Sequence, residues 1–347
     1  MQMHRRHFLT AAIATSLLPL LHPRSGQAAT DVVKPPRLQE GDRVAIVSPA
    51  SATFLQEQVD IVVDAVRGLG LEPVLMPHAQ ARYGSLAGTD EQRAADINQS
   101  FADTSIAALL PITGGWGSSR LLPLLDYDAI RANPKILVGF SDITSLLLGI
   151  HAQTRLVTFH GPNGLTAWRP DQTEPFRQVL FSGESLTFRN QQAGDDGDRL
   201  MNTRFRLQSI TPGRAEGRLF GGNLTVLSGI VGSPYMPNLE GAILFLEDVG
   251  EETYRIDRLM THLRLAGVFD QLAGFVFGQC VRCNPAGGFG SLTLEEVVWG
   301  HIEPLGIPAW YGAMIGHIEP MLTLPIGTRV AVESDRGTIQ MLESAVV

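Results

Sequence analysis

The stretch Pro111-Ile112-Thr113-Gly114-Gly115-Trp116-Gly117-Ser118-Ser119-Arg120 decides how the chain is read. The apolar run Ile106 to Leu110 leads into it, and a helical pattern, Leu121 to Leu125, leaves it. A buried strand, a glycine-dense turn and a helix start are therefore expected. The glycines open backbone angles closed to other residues and let a ligand approach the main chain. Ser118 falls where such a turn pushes a hydroxyl outward, beside free N–H groups at a helix start. That suits a serine nucleophile next to an oxyanion hole. The spacing is not G-x-S-x-G, because Ser119 stands where the last glycine belongs. An anion-binding turn and a plain tight loop are the alternatives.

Outward from this stretch, strands and helices alternate. Arg43–Val47 reads as a strand ending at Ser48-Pro49-Ala50-Ser51. Leu55, Val59, Val62, Val63, Val66 and Leu69 share one helical face. Pro73–Met76 is a second strand, and Thr89 with Gln92 makes a capping box for a helix to about Phe101. Ile136–Phe140 is a buried strand, with Ser141-Asp142 capping the helix that runs from Ile143 to about Gln153. Val157–His160 is another strand. This is the pattern of an α/β fold with a parallel sheet covered on both faces, whose functional loops lie at strand carboxyl ends. Ser48, Ser118, Ser141 and His160 all fall there.

The pattern dissolves between Gly164 and Gly213, a linker or peripheral layer centred on Gly194-Asp195-Asp196-Gly197-Asp198. A second α/β unit follows. It has a helical run from Leu224, a strand Ala242–Leu246 ending at Glu247-Asp248, a helix from about Tyr254 to Leu265, and a strand Gly274–Gly278. A helix at Leu292–Ile302, an extended run Ala309–Ile315 and a strand Arg329–Val332 complete it. The divisions expected are an N-terminal domain at 31–165, the linker at 166–213 and a C-terminal domain at 214–347. Gly300-His301-Ile302-Glu303-Pro304 recurs as Gly316-His317-Ile318-Glu319-Pro320, too short to mark a structural repeat.

At 347 residues, with 44% apolar and 18% charged residues, the chain has the composition of a globular enzyme of about two domains. A formal charge of −8 and the lack of any basic stripe argue against nucleic acid as a partner. Arg5-Arg6-His7-Phe8-Leu9, the apolar run Ala11–Leu21 and Gln27-Ala28-Ala29 read as an export signal over 1–28, resembling the twin-arginine type. The apolar run is short for a membrane span, so a periplasmic protein with no stable span after cleavage is expected. Cleavage removes Arg5, Arg6 and Arg24 but no acid. Cys280 and Cys283 are read as structural, with a local disulfide open to them in an oxidising compartment. With no second cysteine pair and no ligand-spaced His, Asp or Glu cluster, no metal and no cofactor is expected.

A serine nucleophile needs a base, and the base an orienting acid. His151, His262 and His301 lie in helices and read as structural or surface groups; His78 and His160 follow strands. His317, between Gly316 and a loop, can project into a cleft. Glu247 directly follows an apolar strand, placed to hold a histidine N–H, whereas Asp248 reads equally as a helix cap.

Gly41–Pro49, Gly114-Gly115-Trp116-Gly117-Ser118, Asn133-Pro134-Lys135 and Gly139-Phe140-Ser141-Asp142 resemble the serine LD-carboxypeptidases. Gly221-Gly222-Asn223-Leu224, Leu246-Glu247-Asp248 and Gly316-His317 extend the resemblance, in order, over nearly all of the mature chain. The same family includes the microcin C self-immunity peptidases. The resemblance implies a flavodoxin-like N-terminal domain, a C-terminal α/β domain, a site between them and a homodimer. It also implies a Ser–Glu–His triad, assigned here to Ser118, Glu247 and His317. Backbone N–H groups near Gly115 and Ser119 would bind the oxyanion, Arg120 the substrate carboxylate, and Trp116 would wall the pocket. The substrate implied is a short peptide with an L,D bond, such as a muropeptide stem losing its terminal D-alanine. The export signal departs from the family members of peptidoglycan recycling, which are usually cytoplasmic. A microcin-type conjugate amidase and a non-catalytic periplasmic peptide-binding protein are the alternatives.

Overall fold

Five short parallel strands carry the first half of the molecule, a computed structural model that describes residues 32–190, 205–283 and 290–347. In chain order come β1 (Arg43–Val47), α1 (Gln56–Gly68), β2 (Glu72–Leu75), α2 (Asp90–Ala102) and β3 (Ile106–Pro111). A 3-10 turn over Ser118–Leu124, α3 (Tyr127–Ala132), β4 (Ile136–Gly139), a 3-10 turn over Ser141–Ile143, α4 (Thr144–Thr154) and β5 (Thr158–His160) follow. The sheet order β2-β1-β3-β4-β5 is the flavodoxin-like order, whose ligands sit outside the carboxyl ends of the strands. The strands are apolar on both faces because helices cover both: Val44–Val47, Leu109–Leu110 and Ile136–Val138 are all buried.

Local chemistry explains the helices. Val59, Val62 and Val66 turn the buried face of α1 to the sheet, while Leu55, at the helix start, stays exposed. Thr89 and Gln92 form the reciprocal capping box of α2. The stretch after Ser118 is a 3-10 turn rather than an α-helix. Pro123 inside it has no N–H to donate to an i−4 carbonyl.

The region read as a linker is structured where it is described. It holds α5 (Pro170–Arg177), a π-helical turn over Gln178–Ser182, β6 (Thr187–Arg189) and β7 (Gln208–Thr211). β8 (Arg214–Asn223), α6 (Leu224–Ser228), β9 (Ala242–Val249), α7 (Thr253–Leu265), β10 (Leu272–Val281), α8 (Leu294–Ile302) and β11 (Ala309–Tyr311) build the second half. β12 (Leu324–Ile326), β13 (Arg329–Glu333) and β14 (Thr338–Met341) end it. The second sheet runs β6-β14-β13-β8-β9-β10-β11-β7, parallel from β8 to β11 and antiparallel at both flanks. β12 departs from this sheet and pairs antiparallel with β5, closing the first one.

Cys280 and Cys283 are joined by a disulfide at the end of β10. The expected export signal at 1–28, the acidic centre at Gly194–Asp198 and the loop expected at Asn284–Gly288 lie outside the described residues. Among the described residues no helix is long and apolar enough to cross a membrane.

Candidate active site

His317 is the meeting point. Its Nδ1–H donates to Glu247 Oε2 at 2.8 Å, and its Nε2 faces the hydroxyl of Ser141 at 3.0 Å. Glu247 ends the apolar part of β9 and is fully buried. Burial pushes its carboxyl up from the ordinary range, and the hydrogen bond from His317 works against that shift. Phe140 packs edge-on to the His317 ring, with centroids 5.0 Å apart.

Ser141 stands on a sharp strand-to-helix turn. β4 ends at Gly139, Phe140 is extended, and Ser141 holds a φ of 63° before α4 begins. A non-glycine residue in the left-handed region carries strain that the surrounding structure must hold. Gly139 is required for close packing: a Cβ there would lie 2.8 Å from Asn163 Oδ1 and 2.9 Å from Ile143 Cγ2. This is the geometry of a nucleophile elbow, with a G-x-S start and Asp142 and Ile143 in place of the usual ending.

Ser118 is not the serine that meets the histidine. Its side chain is fully buried, and its hydroxyl donates to the Asp142 carbonyl and lies 2.8 Å from Ser145 Oγ. Its N–H donates to Asp142 Oδ2 at 2.7 Å. The 3-10 turn draws Ser118 inward, so it ties the glycine turn to the elbow. By sequence Ser141 with Asp142 reads as a helix cap. The signal available for it was a strand, Gly-x-Ser and a helix in immediate succession.

The glycine turn nonetheless reaches the site. A Cβ on Gly114 would lie 2.9 Å from Ser141 Cβ and 3.5 Å from the Asp142 nitrogen, so the glycine turn packs directly against the serine. Gly115, at φ 116°, abuts Ser51, and Gly114 and Gly115 line a cavity of 530 Å³ with Ser141 and His317. Thr113, Asn163, Thr166 and Glu319 also line it. The remaining expected site residues fall outside that lining. Ser119 is exposed at the start of the 3-10 turn, and Trp116 is exposed beside Gly115. Arg120 pairs with Asp90, its Nη2 2.8 Å from Oδ2, so it does not supply the carboxylate-binding cation.

Arg93 underlies the turn. It is buried on α2 and donates to the carbonyls of Pro49 and Gly117 and to Asp90. Nothing in the sequence marked it, since an arginine in a polar helix reads as a surface residue. The other histidines are accounted for by packing. His151 Nδ1 meets the Leu156 carbonyl, and His301 Nε2 meets Asp257. His160, expected at a cleft, is fully buried between Phe140 and Phe245.

Comparison with known proteins bears on the whole chain. Residues 44–161 match the model of the LD-carboxypeptidase N-terminal domain and residues 216–332 that of its C-terminal domain. A Bacillus subtilis protein named "Probable murein peptide carboxypeptidase" is 35% identical over 309 residues, 88% of this chain and 93% of that one. The murein tetrapeptide carboxypeptidase of Pseudomonas aeruginosa is 32% identical over 303 residues, 85% of this chain and 94% of that one. The solved structure of the microcin C7 self-immunity protein MccF without ligand superposes with a TM-score of 0.80 at 29% identity, over 91% of this chain and all of that one. By sequence, by both domain models and by fold, the chain belongs to the LD-carboxypeptidase family.

Proposed function

We propose that the protein is a serine carboxypeptidase that hydrolyses an L,D-peptide bond in muropeptide stems and releases the terminal D-alanine. The observation that carries this reading is His317 bridging Glu247 Oε2 and Ser141 Oγ at 2.8 and 3.0 Å. Glu247 holds the imidazole with Nδ1 protonated, leaving Nε2 as the base. Nε2 takes the Ser141 proton as Oγ attacks the scissile carbonyl, and the imidazolium returns that proton to the departing amine. Water then attacks the acyl-serine by the same route, giving the shortened peptide and free Ser141. Backbone N–H groups of the glycine turn at Gly114 and Gly115, which line the cavity with Ser141, and of Asp142 are the donors this mechanism assigns to the oxyanion, and each such donor is typically worth about 10²–10³ in rate.

Incubation with a tetrapeptide stem, with mass spectrometry for loss of one alanine, tests the reading. Ser141→Ala is expected to lower turnover by about 10⁴-fold or more and to abolish labelling by a fluorophosphonate. Wild-type protein that releases no alanine and takes no label would exclude it. The similarity to the microcin C7 self-immunity protein MccF supports a second substrate class, a peptide conjugate of the microcin C type cleaved by the same residues. Running such a conjugate beside the tetrapeptide decides between them.

A further inference from the structure

The charge of the cavity says what kind of substrate it accepts. Glu319 lies two residues beyond His317, lines the same cavity as Ser141, and is exposed to it. Among the described residues nothing pairs with its carboxylate. Among the described residues no lysine or arginine lines the cavity, and Glu319 is the one carboxylate there. Glu247 and Asp142 are buried close behind the reacting serine and histidine. The two arginines nearby, Arg93 on α2 and Arg120 in the 3-10 turn, are both bound to Asp90. The field inside such a cleft favours cations and repels a carboxylate near Glu319. A peptide's terminal carboxylate is therefore left to neutral donors, of which Thr113, Asn163 and Thr166 line the cavity.

Building on the Ser141 reading, we propose that Glu319 selects substrates with a free side-chain ammonium on the residue that supplies the scissile carbonyl. The ammonium pairs with the carboxylate while the leaving residue's carboxylate turns away from it. Glu303, at the matching position of the first Gly-His-Ile-Glu-Pro stretch, lies outside the cavity and serves as an internal control.

Binding measured on Ser141→Ala protein separates this inference from the question of turnover. The probes are Nα-acetyl-L-alanyl-γ-D-glutamyl-L-lysyl-D-alanine and its Nε-acetyl form, titrated by calorimetry, so that the lysine side chain carries the one ammonium that differs. The ammonium form is expected to bind about fivefold to tenfold more tightly, with the preference shrinking as salt is raised. Glu319→Gln in the same background should bring the ratio to about one, whereas Glu303→Gln should leave it unchanged. Lysyl-D-alanine acetylated at Nα should likewise bind more tightly than the form acetylated at Nε, and the reverse order would overturn the proposal. Equal binding of the two tetrapeptides, binding of neither, or a preference that survives Glu319→Gln overturns the proposal. Failure of the wild-type protein to cleave either tetrapeptide would instead count against the function proposed above.

Discussion

Ser141 and Ser118 sit 23 residues apart in similar surroundings, each after a strand and a glycine, yet only one faces His317. What separates them is the direction of the turn. At Ser141 a φ of 63° throws the side chain out of the sheet, whereas Ser118 lies in a 3-10 turn that carries its hydroxyl onto the Asp142 carbonyl. Ser118→Ala should therefore keep turnover within about tenfold of wild type while lowering stability by about 1–2 kcal/mol, read from paired kinetics and urea melts. A loss matching that of Ser141→Ala would show that Ser118 does chemistry. Glu247 and His317 were legible because a carboxylate directly after five apolar residues, and a histidine between glycine and loop, mark strand ends. The choice of serine rested on a weaker signal, the strand, Gly-x-Ser and helix at Ser141, because the backbone handedness that turns that serine toward His317 leaves no trace in composition. The buried histidines allow a second prediction. Burial lowers His151 to about 4 and His160 to about 3, from 6.5. Both stay neutral when folded but bind a proton when unfolded, so their stabilisation is whole above about pH 6.5 and falls as pH drops toward 4. The slope is up to about 1.4 kcal/mol per pH unit for each histidine. His160 has no hydrogen-bond partner on either ring nitrogen among the described residues. His160→Phe should therefore flatten the fall of Tm between pH 6.5 and 4, and an unchanged slope would rule out His160 as a source.

Between elements, the site depends on three close approaches that tolerate no extra atom. Gly316 has a φ of 118°, and a Cβ there would lie 2.7 Å from Glu247 Oε2 and 3.0 Å from Glu247 Cβ. Gly316→Ala must displace the His317–Glu247 pair, so kcat should fall about 10²-fold with KM nearly unchanged. An equal rise in KM would place the damage in substrate binding instead. Gly139 under the elbow and Gly114 beside Ser141 are crowded in the same way. Arg93 joins the exit of β1, the start of α2 and the glycine turn through Pro49, Asp90 and Gly117. Lysine keeps the charge at that place but loses the fork that reaches several oxygens at once. Most elements could be read from periodicity and caps, as the Thr89–Gln92 box of α2 illustrates. The short ones could not. β12 is three residues with a proline in the middle, and the sequence around it reads as a loop until its partner β5 is known.

For the molecule as a whole, the expected export and homodimer remain proposals, open to fractionation of cells carrying the full chain and to light scattering of the mature protein. The arrangement of the sheets leads to a stronger statement about stability. Ser141 follows a strand of the first sheet, Glu247 lies on a strand of the second and His317 in the loop between β11 and β12, yet the chain does not leave the two sheets free to separate. After His317 it returns to the first sheet as β12, with Leu324 opposite His160. It then passes at once to the second, where Gly327 N–H donates to the Leu219 carbonyl and β13 pairs with β8. A further tie is Asn223 N–H to Thr144 Oγ1 at 3.0 Å, from the end of β8 to the start of α4. Opening the halves would break these bonds and expose Leu324 and Ile326, both fully buried. Residues 32–347 should therefore unfold in one calorimetric transition, with van't Hoff and calorimetric enthalpies equal, although the chain is longer than most two-state proteins. Leu324→Ala should lower that single transition by about 2–5 kcal/mol, with amide protection in β3 and β10 lost together rather than in sequence. Two resolved transitions in the unaltered protein would mean that the sheets are independent, and that His317 meets Ser141 only when the halves close.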